Sequence, residues 1–463
     1  MKIYKIAAIA TIALSITACS DFVDIKTQGG IVPDKIDNFR YLLNNTNEWV
    51  KGSALPDIMS DDIYIKDGGL QYNSAVNGGD FYAWFAKTYT WSDQIYPESG
   101  NYNKDDGWNA MYNTSAYANT VINEIGKCTD GTPEQKAALV AEAKVHRADA
   151  YLMLVNQYAR QYDEATAATD PGVPLILTQS TEQDIKRASV KAVYEQIIKD
   201  LTDAIPALPE FQEFTTMPTK ASAYGELARA YLLMGRYKDA FDNAELALAQ
   251  NDNIVDLNEG DYPQLIKCPE ILLLKQPTQT NSMWGCTLLH LSDGITELLG
   301  EKDLRYQKWT AAIETAASNF AADGGRVFYQ DIPLGGRNIG PSVPEMILIK
   351  AEYYARENQP LEAMKCVNDL RKKRFAPADY QELSAADGDE ALEIVIDERH
   401  REFFCKNLRW YDLRRLASDS RFVKTLTRQW GGKTLTLEPN GNRYVLPIPQ
   451  YQIILAPGIV QNP

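Results

Sequence analysis

Residues 221–250, ASAYGELARAYLLMGRYKDAFDNAELALAQ, constrain the fold more than any other stretch of this chain. Tyr224, Leu227, Ala228 and Tyr231 recur at helical spacing and form one face. Gly235 supplies a turn, and Tyr237, Ala240, Ala244 and Ala247 line a second helix. Small residues at the crossing let two antiparallel helices approach closely, and such a pair cannot bury its apolar face alone. It needs stacked neighbours, so the spacing predicts a mainly α scaffold of helical pairs.

The pattern is that of the 34-residue tetratricopeptide repeat. A second unit is expected at 344–374, where Ile347, Ala351 and Tyr354 precede Asn358–Pro360, followed by Ala363, Val367 and Leu370; it lacks the turn glycine. Thr132-Pro133-Glu134-Gln135 reads as a capping box with proline at the first helical position, opening a long helix through Ala148, Tyr151 and Leu154. Ser189–Ile205 is its expected partner, and Trp108–Ile125 reads as one more amphipathic helix. The repeat helices are thus expected at about 108–250 and 342–416.

Two stretches depart from this pattern, about 49–107 and 251–341, and are read as loop-rich excursions. The first runs into positions 81–112, where ten aromatic residues crowd into a chain that is 10% aromatic overall. Loops on a rigid scaffold commonly carry binding. Flat aromatic faces beside hydrogen-bonding groups suit a ligand with both apolar faces and polar groups. The expected ligand contacts are Trp84, Trp91 and Trp284, then Tyr82, Tyr306 and Trp309, with Asn281 and Arg326 as hydrogen-bonding partners.

The amino terminus reads as an export signal. Lys2 and Lys5 precede an apolar run from Ile6 to Ile16, and Ile16-Thr17-Ala18-Cys19 places small residues up to a cysteine. The run is too short to span a bilayer, so residues 1–18 are read as a lipoprotein signal and Cys19 as the lipid attachment point. The formal charge of -15 argues against nucleic acid as a partner. Cys128, Cys268, Cys286, Cys366 and Cys405 are odd in number, without close pairs, and read mostly as small buried hydrophobes.

Catalytic and metal readings find little support. Glu398 and Glu402 lie one helical turn apart but among arginines, as in a structural ion network, and Asp397 is spaced to meet Arg401. His146, His290 and His400 show no ligand spacing. Gly432-Lys433-Thr434 lacks the leading glycine of a phosphate loop. Asp61, Asp62, Asp67, Asp105 and Asp106 lack EF-hand spacing and are read as solvated loop acids. No catalytic residue, metal or cofactor is expected.

The tail carries a resemblance. ERHREFFCKNLRWYDLRRL at 398–416 is followed by RYVLPIPQYQIILAPGIVQNP at 443–463. With CSDFVDI at 19–25, WNAMYNTSAYANTVINEI at 108–125 and RASVKAVYEQIIKDLTDAIPALP at 187–209, the chain resembles the SusD/RagB family of surface lipoproteins from Bacteroidota. His400 stands where arginine is usual, and Ile454-Leu455-Ala456 replaces the commoner asparagine before Pro-Gly. The resemblance implies one SusD-like domain over 19–463, lipid-anchored at the cell surface in the outer membrane. It also implies capture of an oligosaccharide and its delivery to a SusC-like TonB-dependent transporter, with no bond made or broken. Peptide capture by the same kind of lid, or a protein adaptor using the repeat groove, are the alternatives.

Overall fold

The computed structural model describes residues 33–97, 105–178, 185–277, 290–316, 318–329 and 336–463, with the side chains of 80–82 excepted. The fold is mainly α. Along the chain come α1 (Ile36–Leu43), strand β1 (Lys51–Gly52), α2 (Leu70–Asn77), α3 (Asp80–Tyr89), α4 (Asp106–Glu124) and α5 (Pro133–Tyr158). A short ribbon, β2 (Pro171–Pro174) with β3 (Arg187–Ser189), leads into α6 (Val190–Ala204). Then follow α7 (Lys220–Leu233), α8 (Tyr237–Gln250), β4 (Gln276–Pro277), α9 (Asp293–Leu299), α10 (Leu304–Trp309) and the hairpin β5 (Thr310–Ala312) with β6 (Arg326–Phe328). The remainder is α11 (Val343–Arg356), α12 (Pro360–Arg371), α13 (Gly388–Phe403), α14 (Leu408–Arg415) and the hairpin β7 (Leu426–Trp430) with β8 (Lys433–Leu437).

Helices α4 to α7 each start where the sequence supplies a side-chain cap. The Asp105 carboxylate accepts from Trp108 N at the start of α4, and Thr132 and Gln135 close a reciprocal capping box on α5. Ser189 caps α6, and Thr219 with Ser222 form a second box on α7. A cap of this kind contributes about 1 kcal/mol. Gly235 turns α7 into α8 with φ 73. At the corresponding turn between α11 and α12 the left-handed residue is Asn358, φ 55, one of the few non-glycine residues that tolerates it. The missing turn glycine is thus replaced by a residue of matching conformational freedom.

Stacking proceeds α4 on α5, α5 on α6, α7 on α8, α8 on α11, and α11 on both α12 and α13. Ala228, Ala240, Ala244 and Ala247 are fully buried where these helices cross. Their small side chains allow the close approach that the spacing predicts. The inner faces of the repeats are covered by the chain itself. Leu272 N donates to Pro341 O, Arg229 donates to Ile339 O at 3.1 Å, and Lys275 reaches Trp49 O at 2.7 Å and Asp149 at 2.8 Å.

A buried ionic network ties the second excursion to the C-terminal helices. Arg305 contacts Asp303 and Glu398 at 2.7 Å and Glu402 at 2.8 Å, while Arg374 joins Glu402 and Glu270 and Arg371 joins Glu398. Burial alone would raise the Glu398 carboxyl, but Arg305, Arg371 and Arg401 outweigh it and hold it at about 2. Glu398 and Glu402 are structural anions, as expected. Arg401 bonds Glu398 and Leu298 O, not the Asp397 partner expected from spacing.

The first excursion differs from the loop-rich expectation, because α2 and α3 lie within it. The α3 segment, DFYAWFAKTY, is dense in aromatic residues, which by composition read as a loop platform, and the structure places them in a helix. Two expected solvated acids are buried instead: Asp62 is paired to His400 at 2.6 Å, and Asp105 accepts from Tyr96 at 2.6 Å and from Tyr158. Polar groups placed in a core are retained only when bonded, and both carboxylates are. Gly431 and Gly432, both left-handed, form the β7–β8 turn, which accounts for Gly432-Lys433-Thr434.

Candidate functional site

The two excursions are brought together by a short run of backbone pairing. Tyr64 N donates to His290 O at 2.8 Å, Ile63 bridges Leu291, and Ser292 N donates to Asp62 O. Leu291 N in turn donates to Arg326 O, and His290 bridges Val327. Segment 61–65, segment 290–292 and β6 therefore lie side by side. Further along, both Asp323 carboxylate oxygens accept from Leu70 N and Gln71 N at the start of α2.

Period-two alternation then decides which side chains face out. Ile63 and Ile65 are buried, whereas Tyr64 between them is 42% exposed and meets His290 edge-on at 5.7 Å. On β6 and its neighbour, Tyr329 is 36% exposed, and its N–H donates to Trp309 O. The Arg326 guanidinium lies over the half-buried Tyr306 ring at 4.1 Å, held by Thr310 Oγ1 at 2.6 Å and by the Thr310 carbonyl at 3.0 Å. Tyr64 and Tyr329 are thus exposed, and Tyr306 is half-buried under Arg326, on segments joined by this pairing. Burial raises the Tyr64 hydroxyl pKa, and nearby Tyr89, Asp293, Asp67 and Asp323 add to it.

Beside Tyr64 opens a cavity of about 540 Å³ between the first excursion, α9, α13 and β7. Trp91 stands in its wall. Its backbone is left-handed, φ 53, at the position that ends α3, where glycine is usual. Its indole N–H donates to Met59 O at 2.9 Å, and the Arg428 guanidinium lies 4.2 Å from its ring and 3.9 Å from that of Tyr89.

The expected contacts separate into three groups. Tyr306 and Arg326 lie together at the surface. Trp84, Trp91 and Trp309 are core residues at 9%, 1% and 0% exposure, so no ring face among them is open to a ligand in this conformation. Trp309 follows Tyr306 by three positions on α10 and points inward, packing on Phe404 and under the Lys406 ammonium at 3.9 Å. Trp284 and Asn281, like Cys19 and Cys286, lie outside the described residues, as does the Tyr82 side chain. Tyr64 was missed by counting aromatic density, although the alternation Ile63-Tyr64-Ile65 signals an outward ring.

Asp61, Asp62 and His400 are spaced as three ligands of a cation would be. Their donor atoms are already spent: Asp61 holds Arg409 through two bonds of 2.7 Å and Lys424 at 2.7 Å, and Asp62 holds His400 and Cys405 N. Burial would raise the Asp61 carboxyl, but Arg409, His400 and Lys424 bring it well below the usual range. The group is an ion-pair knot joining the first excursion to α13 and α14.

Residues 21–232 match the family model described as "Starch-binding associating with outer membrane", and residues 344–463 match that of the SusD family. The chain is similar to SusD-like protein P2 of Formosa agariphila, 27% identical over an alignment of 418 positions that covers 77% of this chain and 79% of that one. Among solved structures it resembles a SusD superfamily protein from Bacteroides thetaiotaomicron, with a TM-score of 0.73, 21% identity, and coverage of 93% of this chain and 100% of that one. It also resembles a SusD-like carbohydrate binding protein from Bacteroides vulgatus, with a TM-score of 0.64, 18% identity, and coverage of 92% and 98%. Among the described residues no helix is long and apolar enough to cross a membrane. With both ends of the chain matched and the whole helical architecture shared, this protein belongs to the SusD/RagB family.

Proposed function

We propose that this protein is a cell-surface lipoprotein that captures an oligosaccharide and passes it to a SusC-like TonB-dependent outer-membrane transporter. The observation that carries the reading is the set of ligand-accessible rings, exposed Tyr64 and Tyr329 and half-buried Tyr306 under Arg326, on segments where the two excursions pair. Rings set at the surface beside hydrogen-bonding groups suit sugar capture. Carbohydrate binding in the name of the Bacteroides vulgatus relative supports the same reading. Trp284, Asn281 and Tyr82 remain proposed contacts on sequence grounds, and the first two precede His290 by only a few residues.

The role is binding without chemistry, since the paired glutamates Glu398 and Glu402 are both committed to buried arginines. An adaptor role for the repeat groove is disfavoured because segments 270–277 and 337–343 of the same chain already cross those helices. Attachment through a lipidated Cys19 in the outer membrane, with the transporter as partner, completes the proposal. Calorimetry of the protein against neutral polysaccharides and peptide libraries tests it. Binding to a polysaccharide that is lost in Tyr306→Ala supports it; binding to peptides alone overturns it.

A further inference from the structure

We infer that the cavity at the loop end of the α7–α8 pair binds a carboxylate with a neighbouring hydroxyl, the chemistry of a hydroxy acid or of a uronic acid residue. The cavity, about 670 Å³, lies between the turn that follows α5, the α7–α8 turn at Gly235, α14 and parts of the tail around Gly441 and Asn462. It shares no residue with the segments that carry Tyr64, Tyr306 and Tyr329. Arg414 of α14 stands in its wall. The side chain is 3% exposed and donates through Nη2 to Ala159 O, while its enclosed Nη1 has no hydrogen-bond partner among the described residues. Buried Arg147, Arg229, Arg305 and Arg374 each hold a carboxylate, and buried Arg428 donates to three backbone carbonyls. A buried donor without a partner costs the desolvation of that group, and more when it is charged. Burial accordingly lowers the Arg414 pKa to about 10, against the raising effect of Tyr194, Tyr411 and Tyr444. Held at a single point, the guanidinium can turn Nη1 toward the cavity.

A second unpartnered atom belongs to the same lining. Gln161 donates to Leu233 O, but its buried Oε1 accepts from no group among the described residues. Arg414 asks for an acceptor and Gln161 for a donor, and a carboxylate beside a hydroxyl supplies both. Arg160 also lines the cavity, is exposed, and pairs with no carboxylate among the described residues. The other charged side chains there are engaged. Arg415 holds Asp412 and Glu352, and Arg187 donates to the carbonyls of Gly172, Val460, Tyr158 and Pro171. Asp163 accepts from Ala165 N, Glu164 from Tyr162 and Lys191, and Asp170 from Thr166. Asp163 and Glu164 are exposed, where water and salt screen them, whereas Arg414 acts from a buried position. A charge-assisted bond to a desolvated guanidinium is the stronger influence on an entering anion.

Calorimetry of the protein at low salt with sodium gluconate, sodium glucuronate, glucose and sodium acetate tests this. At least one of the two hydroxy acids is expected to bind, with glucose and acetate each roughly tenfold weaker or more, because each lacks one of the two groups. Binding of gluconate alone assigns a free hydroxy acid; binding of glucuronate assigns a sugar residue. Arg414→Lys should weaken the hydroxy acid roughly tenfold or more. Thermal unfolding shows whether that variant is folded, and two others do not disturb a buried charge. Arg160→Ala should weaken binding severalfold, and Gln161→Ala should bring the hydroxy acid down toward acetate, while Tyr306→Ala leaves its affinity unchanged. Silence of both hydroxy acids, equal binding of glucose or acetate, or affinity that survives Arg160→Ala and Gln161→Ala overturns the inference and leaves glycan capture at the exposed rings intact.

Discussion

The Arg326 guanidinium lies over the Tyr306 ring, 4.1 Å from its centre, although the two are twenty positions apart in the chain. The β5–β6 hairpin creates the pair by returning Arg326 opposite Ala312, where its guanidinium bonds Thr310, four residues after Tyr306. A cation over a ring face is a favourable contact.

Removal of that ring should therefore be felt in binding and little in folding. Tyr306→Ala is expected to weaken glycan affinity at least tenfold, as loss of an aromatic stacking platform costs about 1–3 kcal/mol in other systems, with a melting temperature within a few degrees of wild type. Trp309→Ala, three residues on, should do the opposite: a cavity costing about 3–5 kcal/mol. Calorimetry and thermal unfolding of the two variants separate platform from core; equal effects in both assays would contradict the assignment.

Acid should destabilise the fold through Glu398 and Glu352. Each is held at about 2 in the folded protein, after burial is outweighed by Arg305 and Arg371 for the first and by Arg415 and Arg356 for the second. A folded value below the unfolded one contributes stability that is complete above the unfolded pKa and lost as pH falls through the folded value. Denaturant midpoints should thus fall between about pH 4.5 and pH 2. Glu398→Gln should cost about 3–5 kcal/mol at pH 7 by stranding buried arginines, and should shrink the acid dependence.

Glu226 should behave in the reverse sense. It is fully buried, its two oxygens meet no hydrogen-bond partner among the described residues, and burial, then Asp149, raise its carboxyl well above the usual value. A raised folded pKa favours the protonated form, so the contribution is complete below the unfolded pKa of about 4.5 and is lost as pH rises through the folded value. Glu226→Gln should be more stable than wild type at alkaline pH and match it near pH 4. Urea unfolding across pH 4–9 reads the difference; a parallel pair of curves would refute it.

The turn residues give a conformational prediction. Gly235→Ala should cost about 1 kcal/mol, since φ 73 strains any Cβ, whereas Asn358→Gly should change little because the left-handed position is retained. Chemical denaturation of both variants checks this.

Cys19→Ala should release the protein from membranes into the soluble fraction of fractionated cells, because the apolar run before it is too short to hold a bilayer by itself. Retention in the membrane pellet would count against lipid attachment.

Helical spacing, caps and turn residues are local properties, and from them the sequence by itself determined the repeat pairs α7–α8 and α11–α12, the capping box on α5 and the position of Gly235. The arginine-rich tail likewise announced that Glu398 and Glu402 would serve an ion network. Only the tertiary structure decided which aromatic rings face solvent. Trp84, Trp91 and Trp309 share a composition with surface platforms, yet each is enclosed by residues distant in sequence: Arg428 from β7 covers Trp91, and Phe404 from the end of α13 covers Trp309. Tyr64 and Tyr329 face outward because strand pairing with 290–292 and α10 sets their register. Exposure is a property of long-range contacts, and those are written in the packing of the whole chain, not in the neighbours of any one residue.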